Sequence, residues 1–61
     1  MISVTRLDGS GIVVNAELIE FVERTPDTMI GLTTGRLITV KEPVEEVVRQ
    51  VMDYRRRTRS H

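Results

Sequence analysis

The sequence predicts a small α+β domain, an antiparallel β-meander of about five strands followed by one C-terminal amphipathic helix. Three observations predict it. From Met1 to Val40 the apolar residues are mostly Val and Ile, with several Thr, and β-branched side chains suit a pleated surface. Turn chemistry breaks them into short runs. After Lys41 the apolar period changes from that of a strand to that of a helix. At 61 residues the chain is a single domain, with the sheet in 1–40, the helix in 43–57 and a basic tail in 58–61.

Each element follows from its own residues. Ile2 to Leu7 alternates Ile2 and Val4 against Ser3 and Thr5, and the pattern fades at Arg6 and Leu7. Asp8-Gly9-Ser10-Gly11 offers two glycines able to take positive φ in a hairpin, before a return strand from Ile12 to Val14. Asn15-Ala16-Glu17 interrupts the pattern. Leu18 to Glu23 then reads as a half-buried strand with Ile19 and Phe21 on one face and Glu20 on the other. Thr25-Pro26-Asp27-Thr28 is a turn, and Met29 to Leu32 and Arg36 to Val40 flank Thr33-Thr34-Gly35, with Gly35 in the left-handed position.

In the helix, Val44, Val47, Val48 and Val51 form one stripe. Pro43 suits the first turn, and Glu42, Glu45 and Glu46 place negative charge at the positive end of the macrodipole. Glu45 to Arg49 and Asp53 to Arg57 are spaced as i,i+4 ion pairs. One helix covers one sheet face, yet Ile12-Val13-Val14, Leu18-Ile19, Phe21-Val22 and Leu37-Ile38 put apolar groups on both. A homo-oligomer or a bound partner is expected to cover the remainder.

Function classes narrow by exclusion. There is no Cys, hence no disulfide, thiolate metal site or thiol nucleophile. No apolar run approaches a membrane span, and Met1 to Arg6 lacks the layout of a signal peptide, so a cytoplasmic location is expected. Phe21 and Tyr54 are the only aromatic residues, too few for a stacking platform, and nucleic acid is not the expected partner. His61, the only His, is the last residue and reads as a chain end or a tag remnant.

Glu17, Glu20 and Glu23 do not gather on one face of a strand, and Glu42, Glu45 and Glu46 read as helix-start charges. Gly9 and Gly11 lack the rest of a phosphate loop. Met1, Met29 and Met52 are too dispersed for a binding stripe, and two of them read as core fillers. No catalytic residue, metal, cofactor or small-molecule substrate is therefore expected, and the chain is read as no enzyme.

The basic cluster Arg55-Arg56-Arg57-Thr58-Arg59 resists this reduction. Residues 1–53 carry five basic and nine acidic side chains, whereas residues 54–61 carry four arginines and no acid. Three readings stand: a solvated helix end, a contact for an acidic protein surface, or a contact for lipid headgroups or nucleic-acid phosphate. Arg55, Arg56, Arg57 and Arg59 are the candidate partner-binding residues.

Taken in order, Ile2-Ser3-Val4-Thr5-Arg6-Leu7-Asp8-Gly9, Val14 to Glu23, Thr25-Pro26-Asp27-Thr28, Leu32-Thr33-Thr34-Gly35-Arg36 and Val40-Lys41-Glu42 resemble the FlbD/SwrD family of small flagellar, swarming-motility proteins. The order and spacing carry the resemblance, since each turn alone is common. It implies a non-enzymatic bacterial accessory protein that supports motor power and swarming by binding or stabilising stator units. The implied place is the cytoplasmic face of the membrane near the motor, with peripheral membrane association through it. Family members often carry Ser before a Val where this chain has Pro43, which shifts the expected helix onset by a residue. The alternative is a dimeric RNA-binding regulator resembling the carbon storage regulators, which share the size and element order but not the motifs.

Overall fold

A computed structural model describes residues 1–58, which form five strands, one short 3-10 helix and one α-helix. β1 (Ile2–Thr5) and β2 (Gly11–Val14) pair antiparallel, with Ile2 opposite Val14 and Thr5 opposite Gly11. Alternation turns Ile2, Val4 and Val14 inward, where they are buried, and leaves Ser3 and Val13 in water. In the turn the Ser10 N–H and hydroxyl both donate to Asp8 Oδ1, at 2.9 and 2.7 Å, and Gly9 takes a φ of +96°. Of the two glycines offered for this turn, Gly9 alone uses positive φ, while Gly11 opens β2.

Asn15 begins the 3-10 helix Ala16–Leu18, its side chain accepting from the Glu17 N–H at 3.0 Å. β3 (Ile19–Glu23), β4 (Thr28–Leu32) and β5 (Leu37–Val40) then form a three-stranded antiparallel sheet in that order. Gly35 stands at φ +93° between β4 and β5, as its position in the sequence anticipates. The expected meander thus divides into two ladders. They meet where Arg6 bridges Val40 and the Lys41 N–H donates to the Thr5 carbonyl at 2.8 Å, which places the last strand beside the first.

Two details of side-chain facing differ from the sequence reading. The β3–β4 register shifts between Ile19 and Phe21, so these residues do not share a face. Ile19 and Val22 pack against the core, while Phe21 turns outward at 39% exposure. A bulge inserts one residue and reverses the phase of alternation, which simple period-2 counting cannot anticipate. In α1 (Val44–Thr58), Val47 and Val51 are buried and Val44 and Tyr54 half-buried, but Val48 is exposed beside the solvent-facing Met52. The helix meets the sheets along a narrow seam, and Val48 falls outside it.

α1 packs on β1 and β3, closing a core of Ile2, Val4, Val14, Ala16, Ile30, Leu32, Ile38, Val40, Val47 and Val51. The Pro43 carbonyl accepts from the N–H groups of Glu46 and Val47, at 3.0 and 3.2 Å, so Pro43 occupies the capping position and the helix begins at Val44. The expected Glu45–Arg49 pair does not form. Glu45 turns to Arg24, at 2.7 Å, while Arg49 is held between Glu46 and Asp53, each at 2.7 Å. Such exposed pairs add little stability.

The hydrogen bonds that fix the helix are at the free edge of β1. The Ser3 N–H donates to Gln50 Oε1 at 3.0 Å, and Gln50 Nε2 donates back to the Ser3 carbonyl at 3.0 Å. Two residues on, the Thr5 N–H and hydroxyl donate to Glu42 Oε1 and Oε2, each at 2.8 Å. An amide and a carboxylate thus take the place of a neighbouring strand. The Thr5 N–H, reinforced by its hydroxyl, holds the Glu42 carboxyl below its ordinary 4.5.

A depressed carboxylate pKa stabilises the fold fully above the unfolded value and ceases to do so as pH falls through the folded one. Glu42→Gln is therefore expected to lower stability at neutral pH by about 1 to 2 kcal/mol in urea unfolding. Its deficit relative to the parent chain should shrink once pH drops below 4.5.

Candidate functional site

Arg55, Arg56 and Arg57 occupy the last turn of α1 and are exposed. Arg59 lies outside the described residues. Successive helical residues point about 100° apart, so the three guanidinium groups spread around the helix instead of converging. Arg56 pairs with Asp53, and the Thr58 hydroxyl donates to the carbonyls of Tyr54 and Arg55 at 3.2 and 3.1 Å. The cluster is a ring of charge at a helix end.

Glu17, Glu45 and Glu46 have structural partners. Glu17 accepts from the Tyr54 hydroxyl at 3.1 Å, tying the helix to the 3-10 turn. Desolvation, and then the Glu17 carboxylate, raises the Tyr54 pKa above 10.0. Hydrogen bonds from Arg24 and Arg49 lower the carboxyls of Glu45 and Glu46 respectively. Among the described residues no three His, Cys, Asp or Glu side chains gather closely enough to hold a metal ion. No helix there is long and apolar enough to cross a membrane.

The outer face of the three-stranded sheet is the largest feature the sequence reading left unlocated. Phe21, Gly31 and Leu37 lie opposite one another across β3, β4 and β5, forming one row on this face. Phe21 and Leu37 are 39% and 58% exposed, and Gly31 is buried beneath the Phe21 ring. A Cβ at position 31 would clash with the tip of that ring, so close approach and not backbone conformation favours glycine here. Met29 lies half-buried on the same face, and Met1 and Met52 are exposed, so none of the methionines fills the core.

An isolated Gly inside an apolar strand, opposite an aromatic residue, was the available sequence signal for this row. A second feature is an open groove of about 300 Å³ lined by Arg6, Leu7, Asp8 and residues 36–39. It brings together two arginines that are 30 positions apart in the sequence and that no spacing rule connects.

Gly31→Ala is expected to push the Phe21 ring off β4 into solvent. Urea unfolding should record a loss of about 1 kcal/mol, at the low end for overpacked sites, because the displaced atoms are the far end of an exposed ring. Gly31→Ala combined with Phe21→Ala should recover part of that loss, because the clashing ring is gone.

Residues 1–58 match the family model described as FlbD, flagellar and swarming motility proteins. No curated protein and no solved structure matches the chain. The match covers nearly the whole sequence, and the chain belongs to that family.

Proposed function

We propose that this flagellar and swarming motility protein works by binding, without catalysis, as a cytoplasmic accessory that supports motor power by holding stator units in their working state. The observation that carries the reading is the outer row of Phe21 and Leu37, an apolar surface on the side of the sheet that α1 does not cover. Each Å² of apolar surface removed from water adds about 25 cal/mol, so burying this row favours association. A second copy of the chain and a stator component are the two occupants proposed, the first giving a homo-oligomer. The arginines of the helix end steer approach to an acidic cytoplasmic surface. A binder of this kind raises the population of whichever state it prefers, by its differential affinity alone.

Phe21→Ser with Leu37→Ser is expected to keep the circular dichroism of the parent chain while abolishing swarming and shortening stator residence at the motor. Unchanged residence in a folded variant rules out this surface. Charge reversal at Arg55, Arg56, Arg57 and Arg59 is expected to weaken torque without unfolding; normal torque removes the tail from the mechanism. The RNA-binding alternative predicts gel shifts that vanish steeply with salt, whereas binding through apolar burial does not.

A further inference from the structure

Beyond the Arg6–Val40 bridge the two ladders part, and the wedge between them is the open groove of about 300 Å³. Strand parity sorts its lining into two flanks. Arg6 continues the inward series of Ile2 and Val4, and Arg36 continues that of Ile38 and Val40, so both guanidinium groups stand on one flank. Leu37, of the opposite parity in β5, stands on the other, and Leu7 lines the groove from the turn that follows β1; they are 58% and 50% exposed.

The polar groups of this wedge are incompletely used. Neither the Arg6 nor the Arg36 guanidinium makes an ion pair or side-chain hydrogen bond within the described residues. Asp8, the one acid in the lining, is engaged by Ser10, whose N–H and hydroxyl lower its pKa with a smaller contribution from the charge of Arg6. The backbone offers an edge as well. The Leu32 N–H donates to the Arg36 carbonyl at 2.9 Å, which sets the phase of the β4–β5 ladder and turns the peptide groups of Leu37 and Thr39 toward the groove.

We propose that the groove docks an extended segment of a partner protein in which carboxylates alternate with apolar side chains. Such a segment pairs with the edge of β5, sends its carboxylates to Arg6 and Arg36, and lays its apolar side chains on Leu7 and Leu37. Charge complementarity selects it: two arginines that make no salt bridge among the described residues, together with two exposed leucines, match a period-2 acidic strand. A phosphate chain would satisfy the arginines and leave the leucines unused. The inference rests on the reading that this chain acts by binding, and adds the chemistry of what is bound.

The test is fluorescence anisotropy of the full chain with a labelled heptapeptide alternating Val and Glu, beside the same peptide with Gln for Glu. Saturable binding of the Glu peptide is expected, about tenfold tighter than the Gln peptide and weakened by added salt. Arg6→Gln with Arg36→Gln should lose about the same factor. Arg6→Glu with Arg36→Glu, shown to be folded by its thermal transition, should instead prefer a Val–Lys peptide. Equal affinity for the Glu and Gln peptides, no charge swap, or tighter binding of oligouridylate than of the peptide overturns the proposal. Swarming of cells carrying the Gln variants separates the two ideas: lost peptide binding with normal swarming supports the groove and counts against the motility role assigned to binding.

Discussion

The free edge of β1 sets the rest of the structure. A strand paired on one side leaves alternate peptide groups without partners on the other, and here Ser3 finds both of its partners in Gln50, while Thr5 finds them in the Glu42 carboxylate and the Lys41 N–H. Those bonds anchor two points of the C-terminal segment, one before the helix and one in its middle. With the helix held against β1 and β3, Val47 and Val51 have a single place to go, and they close the core.

The same anchoring has a cost on the opposite side. A helix fixed over the inner face cannot shield the outer face of the second sheet, and the described residues hold no further element to do so. Phe21 is partly accommodated by lying on Gly31, which removes one face of the ring from water, but Leu37 stays open. The apolar residues that contribute least to the core are therefore the ones left facing water. The groove at the parting of the two ladders belongs to the same geometry, since it arises where β1 leaves β5 after a single bridge.

Much of the fold was legible because its signals are local. Valine and isoleucine alternation, Gly35 in the β4–β5 connection and the shift of period after Lys41 each placed an element close to its observed bounds. The bulge at Glu20 was not legible, because it depends on the register of a partner strand, and it moved Phe21 to the face opposite Ile19. Val48 falls outside the seam because the helix meets the sheets through Val47 and Val51, a choice of stripe that only the tertiary packing makes. Arg6 and Arg36 went unnoticed as a pair because only the tertiary fold joins them, whereas Arg55 to Arg57, conspicuous as a run, are dispersed around the helix by its own geometry.

Position-specific photocrosslinking in swarming cells probes the outer face of the sheet, with a benzophenone amino acid placed at Leu37 or at Glu45 on the helix side. Adducts to a second copy or to a stator component are expected from position 37, and none of these from position 45. Identical adducts from both positions, or a position 37 that reacts only with water, would contradict association through this face.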